Sequence, residues 1–230
     1  MTMTMIPHEQ QVQNLESYLN EKYLPLTPAE RIRELFAEFD SKDILLTSSF
    51  GTTAVYLLHL IYDQGIQHPV HFINTQYHFD ETLQYIHQLK GLLNLDVVDV
   101  KPEDWKNDMT TKSELWKTHP DLCCSINKVE PLEALKKNYK IWISGLMNWQ
   151  NDNRSQKKIF EFKDGLLKFY PIIDVLEAEA NDYLEVHQLP VHPLKPLGYE
   201  SIGCKHCTVK GKSREGRWAG LAKTECGLHK

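Results

Sequence analysis

Residues 43–62 read DILLTSSFGTTAVYLLHLIY, and three kinds of segment follow one another in them. Asp43 to Thr47 is a short apolar run suited to a buried strand. Ser48 to Thr53 is a loop of small and hydroxyl-bearing residues, and Ala54 to Tyr62 reads as a helix. In an open parallel sheet such loops lie at the carboxyl ends of strands, where helix amino termini point N–H groups at ligands. Ser48, Ser49, Phe50, Gly51, Thr52 and Thr53 are therefore candidates for wrapping a phosphate or sulfate. The same composition also makes plain turns, so the loop alone does not decide a function.

Working outward, Thr27-Pro28-Ala29-Glu30 is a capping box with proline at the first helical position, followed by Ile32, Leu35, Phe36 and Phe39 at helical spacing. A helix starts there, after a first helix in residues 9 to 22. Downstream, strands are expected near Val70 to Ile73, Asp96 to Val100 and Ile141 to Ser144, with helices near Glu81 to Leu93 and Lys128 to Lys137. This alternation predicts an α/β fold, a parallel sheet with helices on both faces. Asn74 and Thr75, just after the second strand, are placed to straddle a nucleotide. Beyond Pro171 the strand signal fades, a helix is expected from Val175 to His187, and a proline-rich stretch from Pro190 to Pro196 leads into a cysteine-rich tail. The expected organisation is a helical segment over 1–40, a nucleotide-binding α/β domain over 41–200 and a redox tail over 201–230.

A chain of 230 residues with 41% hydrophobic content can bury one substantial core. No run approaches the roughly 18 apolar residues of a membrane span, and the opening MTMTMIPHEQ has no basic n-region or apolar h-region. A soluble, cytoplasmic protein is expected. The net charge of −5 is uneven: residues 201–230 carry seven Lys/Arg against two Glu, about +5, leaving about −10 elsewhere. A basic tail suits an anionic ligand. An acidic chain without a basic helix or stacking-aromatic stripe argues against nucleic acid. The sequence leaves a homo-oligomer open.

Five cysteines occur as Cys123-Cys124, Cys204-x-x-Cys207 and Cys226. Four thiolates in two close pairs suit an iron-sulfur cluster or tetrahedral zinc. Adjacent cysteines are less usual for structural zinc, which shifts the reading toward a cluster. Cys226 stands apart, downstream of Arg214, Arg217 and Lys223. Nearby cations favour the nucleophilic thiolate. His59, His71 and His87 read as core or surface histidines and Trp105, Trp116, Trp142 and Trp149 as packing residues, whereas His206 and His229, beside the chemistry, are left open.

Taken together these features resemble the sulfonucleotide (phosphoadenylyl/adenylyl sulfate) reductase family, whose fold is adenine-nucleotide alpha-hydrolase-like. The marks are Ser49-Phe50-Gly51, Cys123-Cys124-x-x-x-Lys128-Val129-x-Pro131-Leu132, the Gly198–Thr208 stretch with Cys204-x-x-Cys207, Gly216-Arg217-Trp218 and the closing Lys223-Thr224-Glu225-Cys226-Gly227-Leu228-His229. The resemblance implies Cys123, Cys124, Cys204 and Cys207 as ligands of a 4Fe-4S cluster, Lys128 as a cation linking cluster and sulfate, and Cys226 as nucleophile. Arg154, Arg214, Arg217 and His229 match positions that would hold anionic groups. It further implies adenosine 5′-phosphosulfate as substrate and thioredoxin or glutaredoxin as reductant. The alternatives are the 3′-phosphorylated substrate, a non-enzymatic Fe-S or zinc sensor, or an adenylating or tRNA-thiolating enzyme of this fold, although the S-G-G-x-D-S-like loop of the last is absent. Two departures stand out: the usual D-T-G is Asn74-Thr75-Gln76, and S/T-G-L-R-R reads Ser144-Gly145-Leu146-Met147-Asn148.

Overall fold

The capping box forms: Thr27 N donates to Glu30 Oε2 at 2.8 Å and Glu30 N donates to Thr27 Oγ1 at 3.3 Å. The computed structural model describes residues 8–221, 223 and 225–229. The N-terminal half contains α1 (His8–Tyr23), α2 (Pro28–Glu38), β1 (Ile44–Thr47), α3 (Ala54–Asp63), β2 (Val70–Ile73), α4 (Asp80–Leu92), β3 (Val97–Val100) and α5 (Asp104–Lys112). Then come α6 (Leu115–Thr118), α7 (Pro120–Cys124), α8 (Glu130–Lys136), β4 (Ile141–Ser144), α9 (Asp152–Ser155), β5 (Phe160–Lys163), β6 (Leu166–Phe169) and α10 (Glu177–Val186).

The strands form one sheet in the order β3-β2-β1-β4-β6-β5, parallel except for β5. Side chains alternate across the strands as the pleat requires. Ile44, Leu46 and Ile143 join the large core that contains α2, α3 and α10 residues, whereas Leu45, Trp142 and Leu166 face Leu132 of α8 on the other side. The sheet is thus covered on both faces. Its order reverses at β1, with β2 on one side and β4 on the other. Thr47 pairs with Ser144, so the carboxyl ends of β1 and β4 are level.

Two elements differ from the sequence expectation. The β5–β6 hairpin was not expected; its turn is Asp164-Gly165, both at positive φ (55° and 77°), the combination that a tight hairpin demands. The helix expected to begin at Lys128 instead begins at Pro120 and runs on through a wide π-type turn, Ser125–Val129, into α8. Pro131 has no N–H to give and its ring crowds the carbonyl four residues back. A widened turn just before it relieves both demands, and such turns recur at functional sites.

The hairpin leaves β5 at the sheet edge, and α1 covers it. Asn20 accepts from Phe160 N and donates to Phe160 O, each at 3.0 Å, and Glu16 accepts from Phe162 N at 2.9 Å. Side chains thereby answer backbone groups that a bare edge strand would offer to other chains. Among the described residues no helix is long and apolar enough to cross a membrane.

Candidate functional site

At the switch point between β1 and β4 lies a cavity of about 520 Å³. Ser48, Ser49, Gly51, Thr52 and Thr53 line one wall, and Ser144, Gly145, Leu146 and Trp149 line the wall after β4. Lys128, Arg154, Arg214 and Arg217 bring cations to it, and Cys226 and His229 close it from the tail. Phe50 stands apart from this group. It adopts φ 49° and turns its ring into the core against Phe72 at 5.6 Å, so it shapes the loop from beneath. Asn74 and Thr75, expected to straddle a ligand, are not on the cavity wall. Asn74 donates to Asp99 Oδ2 at 3.1 Å, and the Thr75 hydroxyl lies 3.3 Å from Cys204 Sγ. Met147 is fully buried and Asn148 N donates to Ile173 O at 2.8 Å, so neither departure from the arginine pair reaches the cavity.

All five cysteines are free thiols. Cys123, Cys204 and Cys207 pack in one cluster with Tyr77 and Trp116, and Cys124 is buried on the same helical turn as Cys123. Burial, reinforced by the neighbouring thiols, pushes Cys123 up to about 12 and Cys207 to about 11. Cys204 behaves oppositely: burial alone would raise it, but Lys128, the Thr75 hydrogen bond and Arg217 together pull it below the ordinary thiol value. Lys128, on the wide turn, would lose its proton on burial grounds alone. The sulfurs of Cys204, Cys124 and Cys226 overcome this and hold it protonated. A buried polar network fixes that turn. Asn107 donates to Thr75 O at 3.0 Å and to Asn127 Oδ1 at 2.8 Å, and Asn127 donates to Cys123 O at 3.0 Å.

Arg217 crosses from the thiols to the cavity. Its guanidinium covers Gly203, where an added Cβ would collide with it, donates to Ile202 O at 3.1 Å and stacks on Trp218 at 4.4 Å. Arg217 Nε and Trp218 Nε1 are buried without a hydrogen-bond partner. His229 stacks on Trp142, with centroids 4.7 Å apart and planes at 6°, and burial holds it neutral. Trp142 thus packs as the sequence implied but also carries a site residue. His206 stacks on Trp116 at 4.0 Å, outside the cavity.

Two cavity residues take places that the sequence reading does not give them. Trp149 Nε1 is buried with no partner on the wall, and Glu225 lies between Arg154 and Arg214. Trp149 reads as a packing residue and Glu225 only as part of the closing motif; their places on the wall are legible only with the sheet assembled.

The sequence model of the phosphoadenosine phosphosulfate reductase domain matches residues 43–210. The chain belongs to that family. Among its curated relatives, the adenosine 5′-phosphosulfate reductase of Bacillus cereus (strain 03BB102) is 37% identical over 203 residues, 84% of this chain and 86% of the relative. The enzyme of the same name from Bacillus cytotoxicus is 37% identical over 196 residues, 81% and 84% of the two chains. A solved phosphoadenylyl-sulfate reductase of Candida auris, in its phosphate complex, superposes with a TM-score of 0.73 at 24% identity. The match covers 90% of this chain and all of that one. At that identity the likeness speaks for a shared fold. This member of the reductase family therefore joins the expected α/β architecture to an amended edge.

Proposed function

We propose that this reductase converts adenosine 5′-phosphosulfate to sulfite and AMP. The observation that carries the reading is one cavity at the sheet's switch point, where the Ser48–Thr53 loop, the buried cations Lys128 and Arg217 and the Cys226 thiol meet. In the proposed reaction the Cys226 thiolate attacks the sulfate sulfur. The sulfur–oxygen bond to the phosphate breaks, AMP leaves with that electron pair, and Cys226 carries an S-sulfo group. Lys128 and Arg217 offset charge on the sulfate oxygens, and hydroxyls and N–H groups of the loop hold the phosphate as it becomes the leaving group. His229, neutral and stacked, sets the far wall. One thiol of reduced thioredoxin then attacks the Cys226 sulfur, releasing sulfite and forming a mixed disulfide. Its second thiol resolves that bond, supplying the two electrons.

Cys123, Cys124, Cys204 and Cys207 would hold a 4Fe-4S cluster. Among the described residues no three His, Cys, Asp or Glu side chains converge on a single metal ion. The four thiolates would each be taken by a different iron of such a cluster, so they need not share one metal ion. The buried Lys128 and the unpartnered Arg217 Nε, cations close enough to pull Cys204 down, fit its sulfurs. When bound, the cluster would supply negative charge that keeps Lys128 protonated and fixed beside the sulfate.

Incubation with adenosine 5′-phosphosulfate and no thioredoxin should leave one added SO3 on the tail peptide, read by mass spectrometry. Reduced thioredoxin should discharge it as one equivalent of sulfite, and Cys226→Ser should abolish both signals while iron content is kept. A Cys226→Ser protein that still releases sulfite, or equal specificity constants for the 3′-phosphorylated substrate, would refute the assignment.

A further inference from the structure

Arg154 and Arg214 line the cavity, yet the charge they meet belongs to the chain itself. Arg154 Nε donates to Glu225 Oε1 at 3.0 Å and its Nη2 reaches Oε2 at 3.4 Å. Arg214 Nη2 donates to Glu225 Oε2 at 3.1 Å, and Asn151 Nδ2 donates to Oε1 at 2.7 Å. One carboxylate thus occupies the planar fork of one guanidinium and an edge of a second. All three charged side chains are largely buried, at 11%, 17% and 15% exposure for Arg154, Arg214 and Glu225. Burial alone would raise the Glu225 carboxyl, but the two arginines and Asn151 outweigh it and hold it below the usual carboxylate range. The remaining face of Arg154 is turned to Gln150 Oε1, and Gln150 Nε2 donates to Thr53 Oγ1 at 3.2 Å. The arrangement therefore runs from the phosphate loop to the residue that precedes Cys226.

Resting on the reading of Cys226 as nucleophile, we propose that Arg154, Arg214 and Asn151 form a dock for the tail. They hold Glu225 and thereby seat Cys226 in the cavity, instead of gripping the nucleotide's anionic groups themselves. The division of labour follows from the geometry. Lys128 and Arg217 are left to meet the sulfate, whereas the Arg154 fork is engaged by a carboxylate one residue from the reacting thiol. The tail must also leave, because a thioredoxin thiol has to reach the Cys226 sulfur. A polar dock suits this reversible step, since its arginines and carboxylate regain water on release. Glu225 is accordingly a positioning residue: it touches no reacting atom and acts through where it puts Cys226.

The test uses the full chain carrying its iron, with Arg154→Met, Glu225→Gln, the double variant and Glu225→Asp. The rate at which iodoacetamide alkylates Cys226 in substrate-free protein reads tail seating, and AMP titration by calorimetry reads nucleotide grip. A broken buried pair should raise the alkylation rate about tenfold or more in each single variant, with no further rise in the double. Glu225→Asp should recover part of the protection. AMP affinity should stay within about twofold of the parent, while S-sulfo formation under single turnover slows. Weaker AMP binding in Arg154→Met at an unchanged alkylation rate would show that the arginine grips nucleotide and overturn the dock. Tighter AMP binding in Glu225→Gln would show a carboxylate competing with ligand, which overturns it too. Alkylation is read without substrate, so a chain that fails to turn over sulfonucleotide still decides the dock, and isosteric Glu225→Gln keeps the test valid if Arg154→Met misfolds.

Discussion

Gln76 adopts φ 62°, a left-handed conformation that costs a side-chain-bearing residue roughly 1–2 kcal/mol. The family's usual D-T-G places glycine at this position, so the departure noted in the sequence is a backbone matter and not a loss of ligand contact. Gln76→Gly should stabilise the chain by about 0.5–1 kcal/mol after the extra flexibility of glycine in the unfolded state is subtracted. A urea midpoint that rises at constant slope would check it. Gly203 tells the opposite story. A methyl group there would push the Arg217 guanidinium off its seat, so Gly203→Ala should lower kcat/KM for sulfite release by about tenfold or more. The thermal midpoint should change little, because the residue is half-buried beside the site. The cysteine pairs and the hydroxyl loop could be read directly, because each is a short linear motif with chemistry written into its residue types. The Glu225–Arg154 pair could not, since its partners lie 71 residues apart and meet only once α9 and the tail converge.

Among the elements, α2 is fastened to the segment after β6 by one side chain. Arg31 is 2% exposed and donates to Tyr23 O, Leu24 O and Pro171 O, and to both oxygens of Asp174 at 2.6 and 2.7 Å. Every nitrogen of the guanidinium is used. Arg31→Met should cost about 3 kcal/mol in chemical denaturation, the low end for a broken buried pair because Asp174 stays half exposed. Arg31→Lys should recover only part, having no fork to match the carboxylate. The α/β alternation was legible because each buried strand is a short apolar run between helical patterns. The β5–β6 hairpin was missed although Asp164-Gly165 marks it, since four-residue strands carry little periodicity. The early start of the helix before α8 is hidden by Pro131, which normally begins a helix and here follows a widened turn within a longer one.

For the whole molecule, the histidines predict an acid-labile fold. His192 is fully buried, accepts from Leu194 N at 3.2 Å and pairs with Thr82 Oγ1 at 3.0 Å; burial pushes it down to about 4. Burial likewise lowers His59, His68, His71 and His78. Each is depressed in the folded chain, so the unfolded chain takes up protons first. Stability is complete above the ordinary histidine range and falls as pH drops from about 6.5 toward 4, by up to about 1.4 kcal/mol per pH unit for His192 alone. Urea midpoints over that window should show this slope, and His192→Asn should flatten it by about one proton while lowering stability at neutral pH.

The pairing of α1 with strand β5 also bears on how this protein can be handled. The segment that matches the family, residues 43–210, excludes Asn20 and Glu16 as well as Arg31. A fragment trimmed to those bounds would keep all six strands, yet present β5 as a ready template for another molecule's strand. Helix α1 thus stands where a further strand would otherwise add, although it lies outside the segment that the family's sequence model matches.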